Sequence, residues 1–509
     1  MSSTCARCGG PAQLRCAACS VPYYCTRQRP GVGRFTVAAR NLAAGQLLLN
    51  EAPLASGPQL EAEPQCLSCG RLLEARAAAC ARCRWPMCGE SCAASAAHAA
   101  ECAVLARDAG DRPKAGSKPS ARYDCILPLR LLLLRDQPRI WDKLTRLETH
   151  VEQRRDTAIY RDNQCHVVDY LRQRCAVDAD EELLHRLCGV LDVNAFSLRP
   201  KPGFGRRRGL FARTSLLNHS CVSNTQLSLD GEVMQVRASL PILSGNEVTA
   251  AYISAYDPTA RRHDFLRNGK YFQCGCERCR DPSELETHFG SHRCGSCREL
   301  VMSTDPLSPD AVWRCSGCGR EQPASEVRQL NARLQAERQG LAEGSVQDLE
   351  DFIGRHGEFP LHPGNYHVVA VKQMLAQMYG NAPGHQLEQL SNGRLVAKEK
   401  FCRQMIALTV VFEPGLSRMR GLLLLQLHHA VVTLAQRRFA ESKISPTRLL
   451  ESLEEGGRFV AEAISLLRHE PASTPEGGAM MQMARDTLQG CFEMAELVRS
   501  SIGNFTAAG

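Results

Sequence analysis

The chain has 509 residues, 44% hydrophobic and 23% charged, with a formal net charge of +8. That length allows about three or four domains and a sizeable core. No apolar run approaches the roughly 18 residues of a membrane span; the nearest, Ile126 to Leu134, contains Arg130.

The N-terminal MSSTCARCGG has no apolar signal core, which argues against secretion. Twenty-six cysteines in a reducing compartment point away from disulfides and toward metal binding. Nine lysines leave 53 of the 62 basic residues as arginine. The surplus is spread too thinly for a nucleic-acid footprint, and Arg206-Arg207-Arg208 reads as a solvated loop.

In chain order, the first pattern is Cys5-x2-Cys8-x7-Cys16-x2-Cys19-x5-Cys25, which then stops. Five ligands cannot complete two zinc sites. Either one zinc takes Cys5, Cys8 and two later cysteines, or a stretch of the finger is missing. Arg34-Phe-Thr-Val-Ala-Ala-Arg and Gln46-Leu-Leu-Leu-Asn-Glu read as short strands. Next comes Cys66-x2-Cys69-x10-Cys80-x2-Cys83-x4-Cys88-x3-Cys92-x5-His98-x3-Cys102. Pairs two residues apart let one tight turn offer two sulfurs to one ion, and eight ligands make two tetrahedral sites. So short a segment cannot build a core, so the metal must supply its folding free energy.

Residues 108–121 read as a flexible linker or loop, and 123–190 as helical. Thr225-Gln-Leu-Ser-Leu followed by Asp230-Gly231 is a hairpin signal. Cys274-x-Cys276-x2-Cys279 offers three ligands, so a closed site needs a fourth from elsewhere. Cys294-x2-Cys297-x17-Cys315-x2-Cys318 is a self-contained four-cysteine zinc ribbon, with Trp313 placed to shield it. From about residue 326 apolar residues recur at helical spacing, broken at Pro363-Gly364, Pro383-Gly384 and Pro414-Gly415. This predicts a stack of antiparallel helices. No strict repeat period is visible, which leaves a solenoid of helix pairs open.

Asn218-His219-Ser220-Cys221 is followed by Ser244-Gly-Asn-Glu-Val-Thr-Ala-Ala-Tyr252, by Asp257-Pro-Thr-Ala-Arg-Arg, and by Tyr271-Phe272-Gln-Cys274-Gly-Cys276. This order resembles a SET domain with its post-SET cysteines, and the 66–102 spacing resembles a MYND finger. Together they resemble the SET-and-MYND (SMYD) lysine methyltransferases over nearly the full chain. The extra cysteine pairs point to a diverged branch.

The resemblance implies an α+β multidomain protein. It has a β-rich SET core with an inserted MYND-type finger and helical insert, a post-SET zinc site, a zinc ribbon and an all-α, TPR-like C-terminal domain. The boundaries drawn are 1–28 (partial finger), 29–65 (N-terminal SET part), 66–102 (MYND finger), 103–190 (helical insert), 191–258 (SET core), 259–281 (post-SET), 282–325 (ribbon) and 326–509 (helical domain).

Carried over residue by residue, the family interleaves its ligands. Cys66, Cys69, Cys88 and Cys92 hold one zinc; Cys80, Cys83, His98 and Cys102 hold the other. Cys221 completes the site of Cys274, Cys276 and Cys279. S-adenosylmethionine contacts fall on Gly33, Arg34, His150, Asn194, Ser215, Asn218, His219, Tyr252 and Phe272, with Phe35 standing where the family's segment has its last Gly. Tyr252 and Tyr271 match the two tyrosines of the methyl-transfer site.

The resemblance implies transfer of a methyl group to a protein lysine, on a histone tail or a non-histone peptide. It also implies a proline-containing peptide at the finger, a monomer, and a chromatin regulator in nucleus and cytoplasm. No sequence-specific DNA binding is expected, because no finger carries a basic recognition helix. No membrane association is expected either. The other reading is a catalytically weak or inactive scaffold, a transcriptional co-regulator that acts through peptide binding.

Overall fold

The computed structural model describes the backbone of residues 14–15, 22–29, 33–110, 112–341 and 344–507, and side chains from Arg34 to Ile502 with the same breaks. Cys5, Cys8, Cys16 and Cys19 of the expected N-terminal finger lie outside the described residues, and so does the side chain of Cys25. The protein is mixed helix and sheet with a helical C-terminal region. No described helix is long and apolar enough to cross a membrane.

The β-rich part is built from short antiparallel pairings. Strand Gly33–Ala38 pairs with Pro22–Arg29. Strand Leu47–Glu51 pairs with Val233–Ala238, which forms a hairpin with Thr225–Asp230. The expected Asp230-Gly231 turn closes that hairpin, with Gly231 at φ 60, a backbone region that glycine enters without a Cβ penalty. Leu48, Leu49, Met234, Val236 and Phe211 form the apolar core beneath. Ala55–Pro58 pairs with Arg207–Leu210. Ala195–Ser197 pairs with the other edge of Arg207–Leu210, so the chain leaves this sheet after residue 58 and returns to it at 195.

The departing segment holds the 66–102 cysteines and the helices from Ile126 to Asn194. These share one core, in which Trp85 packs edge-on against Tyr123 at 5.2 Å. The segment at 108–121 is irregular, as expected of a loop, but it is pinned. Arg112 donates to Asp108 and to the carbonyls of Cys83, Leu105 and Gly110. Its guanidinium satisfies backbone acceptors that a free linker would leave to water.

One crossing sets up the functional site. Residues 245–248 bond to strand Gly33–Ala38 on one side, through Gly245 N to Ala38 O and Val248 N to Thr36 O. On the other side, Thr249–Ala250 runs parallel to Asn218–His219. Parallel pairing needs a crossover, and the 225–238 hairpin supplies it. The Asn224 side chain locks the crossing by donating to Glu247 O and accepting from Thr249 N.

From Ala324 onward the described residues form seven helices: Ala324–Gly340, Val346–His356, Tyr366–Met378, Asn392–Phe412, Arg418–Ala440, Pro446–Leu467 and Ala479–Ala507; the first packs on the third, and from the second onward each packs on the next. Ser345, Asn365, Ser391, Ser417 and Ser445 each cap the helix that follows by accepting a backbone N–H. Leu334, Leu349, Phe352, Leu395 and Leu427 are buried between the helices. The domain docks on the β-core at Gly415 (φ 80), where a Cβ would stand 1.9 Å from the Ser239 carbonyl oxygen. The neighbouring Leu416 N donates to that oxygen at 3.0 Å.

Candidate functional site

Among the described residues four groups of ligand atoms each gather within 4.8 Å: Cys66, Cys69, Cys88 and Cys92; Cys80, Cys83, His98 and Cys102; Cys221, Cys274, Cys276 and Cys279; and Cys294, Cys297, Cys315 and Cys318. A zinc ion about 2.3 Å from four sulfurs sets sulfur–sulfur edges near 3.8 Å. The observed edges include 3.7 Å for Cys80–Cys102, 3.9 Å for Cys221–Cys274 and 3.7 Å for Cys294–Cys318. These are too long for disulfides, which need roughly 2.05 Å. The interleaved grouping expected of the 66–102 ligands is the one present. Cys221, expected to complete the three post-SET cysteines, lies 3.4 Å from Cys279.

The surroundings of the ligands fix their chemistry. His98 turns Nδ1 toward Glu101 Oε1 at 3.0 Å and Nε2 toward Cys83 at 3.4 Å. The carboxylate holds the proton on Nδ1 and leaves Nε2 free to ligate. Arg130 in turn donates to both Glu101 oxygens and to the carbonyls of Ser56 and Leu67. It thereby ties the finger to the β-core. At the post-SET group, Arg262 and Arg278 are buried on Glu284 at 2.9 and 2.8 Å. Arg262 also reaches Cys279 Sγ at 3.6 Å. In the ribbon, Trp313 packs against Cys294 and Cys315, as its place in the sequence suggested.

Beside the post-SET group opens a cleft of about 800 Å³. Arg34, His150, Asn194, Ser215, Asn218, His219, Tyr252, Tyr271 and Phe272 all line it, so residues scattered over 239 positions of sequence meet in one place. Gly33 begins the strand that carries Arg34, and Arg34 donates to the carbonyl of Arg146. Asn194 ends helix Glu181–Asn194, with Nδ2 donating to Glu148 O and Val190 O. Ser215 donates to Asn194 O at 3.1 Å. Asn218 donates to Glu247 Oε1 at 3.0 Å.

His219 has both ring nitrogens engaged. Nδ1 accepts from the backbone N–H of Tyr252 at 3.1 Å, and Nε2 faces Cys221 Sγ at 3.2 Å. Burial holds its pKa down at about 4. The ring therefore joins the cysteine group to Tyr252. Any further contact it makes in the cleft runs through its backbone or its ring face. The Tyr252 hydroxyl donates to Leu217 O at 2.5 Å, and burial pushes the phenol above its ordinary pKa. Phe272 stands at the rim, 36% exposed, 6.2 Å from the His219 ring.

Tyr271 follows helix Thr259–Lys270 at φ 61 and packs its ring 5.2 Å from that of His150, which is itself at φ 48. The group set over the Tyr252 ring is instead Lys270 Nζ, 5.8 Å from the centroid. Reading the sequence had missed Lys270, Glu247, Glu101 and Arg130. Lys270 was legible as one of nine lysines, directly before Tyr271. Glu247 and Arg130 have partners far away in sequence, and Glu101 joins its near neighbour His98 to the distant Arg130.

No protein-family model matches the chain. Curated relatives do. SET domain-containing protein SmydA-8, isoform A, of Drosophila melanogaster is 30% identical over 341 residues, 63% of this chain and 70% of that protein. Histone-lysine N-methyltransferase ASHR1 of Arabidopsis thaliana is 25% identical over 329 residues, 60% of this chain and 66% of that protein. N-lysine methyltransferase SMYD2 of Homo sapiens is 32% identical over 100 residues, 20% of this chain and 23% of that protein.

Proposed function

The chain belongs to the SET-and-MYND family, and from that premise we propose that it is an S-adenosylmethionine-dependent protein-lysine N-methyltransferase with structural zinc. The observation that carries the reading is the convergence of Arg34, Asn194, Asn218, His219, Tyr252 and Phe272 on one cleft next to a four-cysteine group. Relatives named N-lysine and histone-lysine methyltransferases support it.

The residues present fit a methyl donor that carries a sulfonium, an amino acid end and an adenine. The volume lies in the range of cofactor clefts. The carboxylate of Glu247 on the cleft wall offers a negative end to a cation. Phe272 offers a ring face at the rim. Bound there, S-adenosylmethionine supplies a methyl group on an already activated sulfur.

This chain's part is positioning rather than acid or base catalysis. An acceptor lysine has an ordinary pKa near 10.4 and must be neutral to react. The partly buried wall around Tyr252 disfavours the ammonium form. The Tyr252 hydroxyl, oriented by its bond to the buried Leu217 carbonyl, offers a fixed polar group to the amine. His219 holds Tyr252 in place through its backbone N–H. The four cysteine groups would hold zinc, whose binding free energy folds segments too poor in apolar residues to fold alone. The substrate is a lysine-bearing protein, with a proline-containing peptide as the partner proposed for the finger.

The test is calorimetric binding of S-adenosylmethionine to the full-length, zinc-loaded protein. Micromolar binding is expected, weakened roughly tenfold or more in Asn218→Ala, which removes the Asn218–Glu247 bond from the wall. A folded, zinc-replete protein that binds no donor would refute the transferase and leave the scaffold reading.

A further inference from the structure

Lys270 ends helix Thr259–Lys270 and lines the cleft with the residues assigned to donor and acceptor. Its Nζ donates to Val193 O at 2.5 Å and stands 5.8 Å from the centroid of the Tyr252 ring. A carbonyl and an aromatic face are what an acceptor amine needs in order to be held in place. Among the described residues Nζ has this single hydrogen-bond acceptor. The carboxylate that acts on it, Asp192, is already bound by Arg154 and Arg208.

Lys270 is half-buried; Lys372 and Lys398 are buried, and they differ from it. Lys398 Nζ has three acceptors, Ala376 O, Tyr379 O and Gln426 Oε1. Lys372 has Pro363 O and Gln404 Oε1. Both serve the packing of the helical domain and line no part of the cleft. Lys270 has the fewest partners and the one location where an amine has chemistry to do. Desolvation brings its pKa down to about 8, so the neutral form is reached more easily than in an ordinary lysine. An arginine, the residue this chain uses at 53 of its 62 basic positions, stays charged there.

We propose that Lys270 is a modification site of the protein itself, methylated in cis by the sulfonium donor bound in the cleft it lines. The inference rests on the function proposed above. In the step, the neutral Nζ attacks the methyl carbon of the sulfonium. The N–C bond forms as the S–C bond breaks, and sulfur keeps the electron pair. The new ammonium then releases a proton to water at the open rim. No oxidant or further reactant is required.

The experiment uses the zinc-loaded full chain with S-adenosylmethionine carrying an isotopically labelled methyl group. Peptide mass spectrometry locates the label, and calorimetry on the same preparation reads donor binding independently. Label on Lys270 is expected at more than roughly tenfold its level on any other lysine. It should form at a rate per molecule that does not change with protein concentration. Lys270→Arg should keep donor binding and lose the label. Donor binding with Lys270 unmodified, or with label elsewhere, would overturn this inference and leave the transferase standing. A labelling rate that rises with protein concentration would overturn transfer in cis. Absence of donor binding would overturn both.

Discussion

Between residues 66 and 102, eight metal-ligand side chains organise a segment with few strands and two short helices. Between 324 and 507, long helices bury Leu334, Phe352, Leu395 and Leu427 against one another, and the described residues there hold no group of metal ligands. The two regions reach a fixed structure by different physics. The first concentrates its free energy in a few coordination bonds, so losing one ion costs everything nearby. The second spreads it over many apolar contacts and capped helix ends, each worth little alone. A protein that must hold a cleft open beside Tyr252 gains from the first kind of support. The cysteine group sits one residue pair from the reactive wall, at His219 and Cys221.

Chelation should separate the regions most sharply. Structural zinc contributes on the order of 10–16 kcal/mol to small zinc-dependent folds. Its removal should therefore expose Trp85, now fully buried, while most of the far-ultraviolet helical signal of residues 324–507 persists. Fluorescence and circular dichroism on one sample would read both, and a joint collapse would break the comparison. In the opposite direction, Phe352→Ala should cost about 3–5 kcal/mol in the helical domain and leave the zinc content per chain unchanged by metal analysis.

Buried Lys398 and half-buried Lys270 sharpen the comparison further. Lys398→Met strands three acceptors in the helical domain and should cost about 1–3 kcal/mol in urea titrations. Lys270→Met strands only the Val193 carbonyl and should cost less than about 1 kcal/mol. Equal costs would make Lys270 a structural residue like Lys398.

Much of this was readable before folding. Asp230-Gly231 set a hairpin because two short strands flank a residue pair that accepts positive φ. The Cys-x2-Cys pairs announced metal groups because one turn offers two sulfurs. Other features were not readable. Residues 108–121 look like a linker by composition, yet Arg112 pins them through carbonyls of Cys83 and Leu105. Glu101 stands three residues from His98, a local pairing, but its tie to the β-core depends on Arg130, which a helix of the insert carries to it.

The sequence by itself determined the local chemistry: which cysteines stand close enough along the chain to share an ion, and where helices begin at Ser345, Ser391, Ser417 and Ser445. Those are short-range matters of spacing and backbone hydrogen bonding. Only the tertiary structure decided that Cys221 meets Cys279, and that Lys270 rather than Tyr271 stands over Tyr252. Both depend on the crossing of residues 245–250 between two strands and on the angle at which helix Thr259–Lys270 ends. Both neighbours line the cleft, and long-range packing decides which ring each one meets, Tyr252 for Lys270 and His150 for Tyr271.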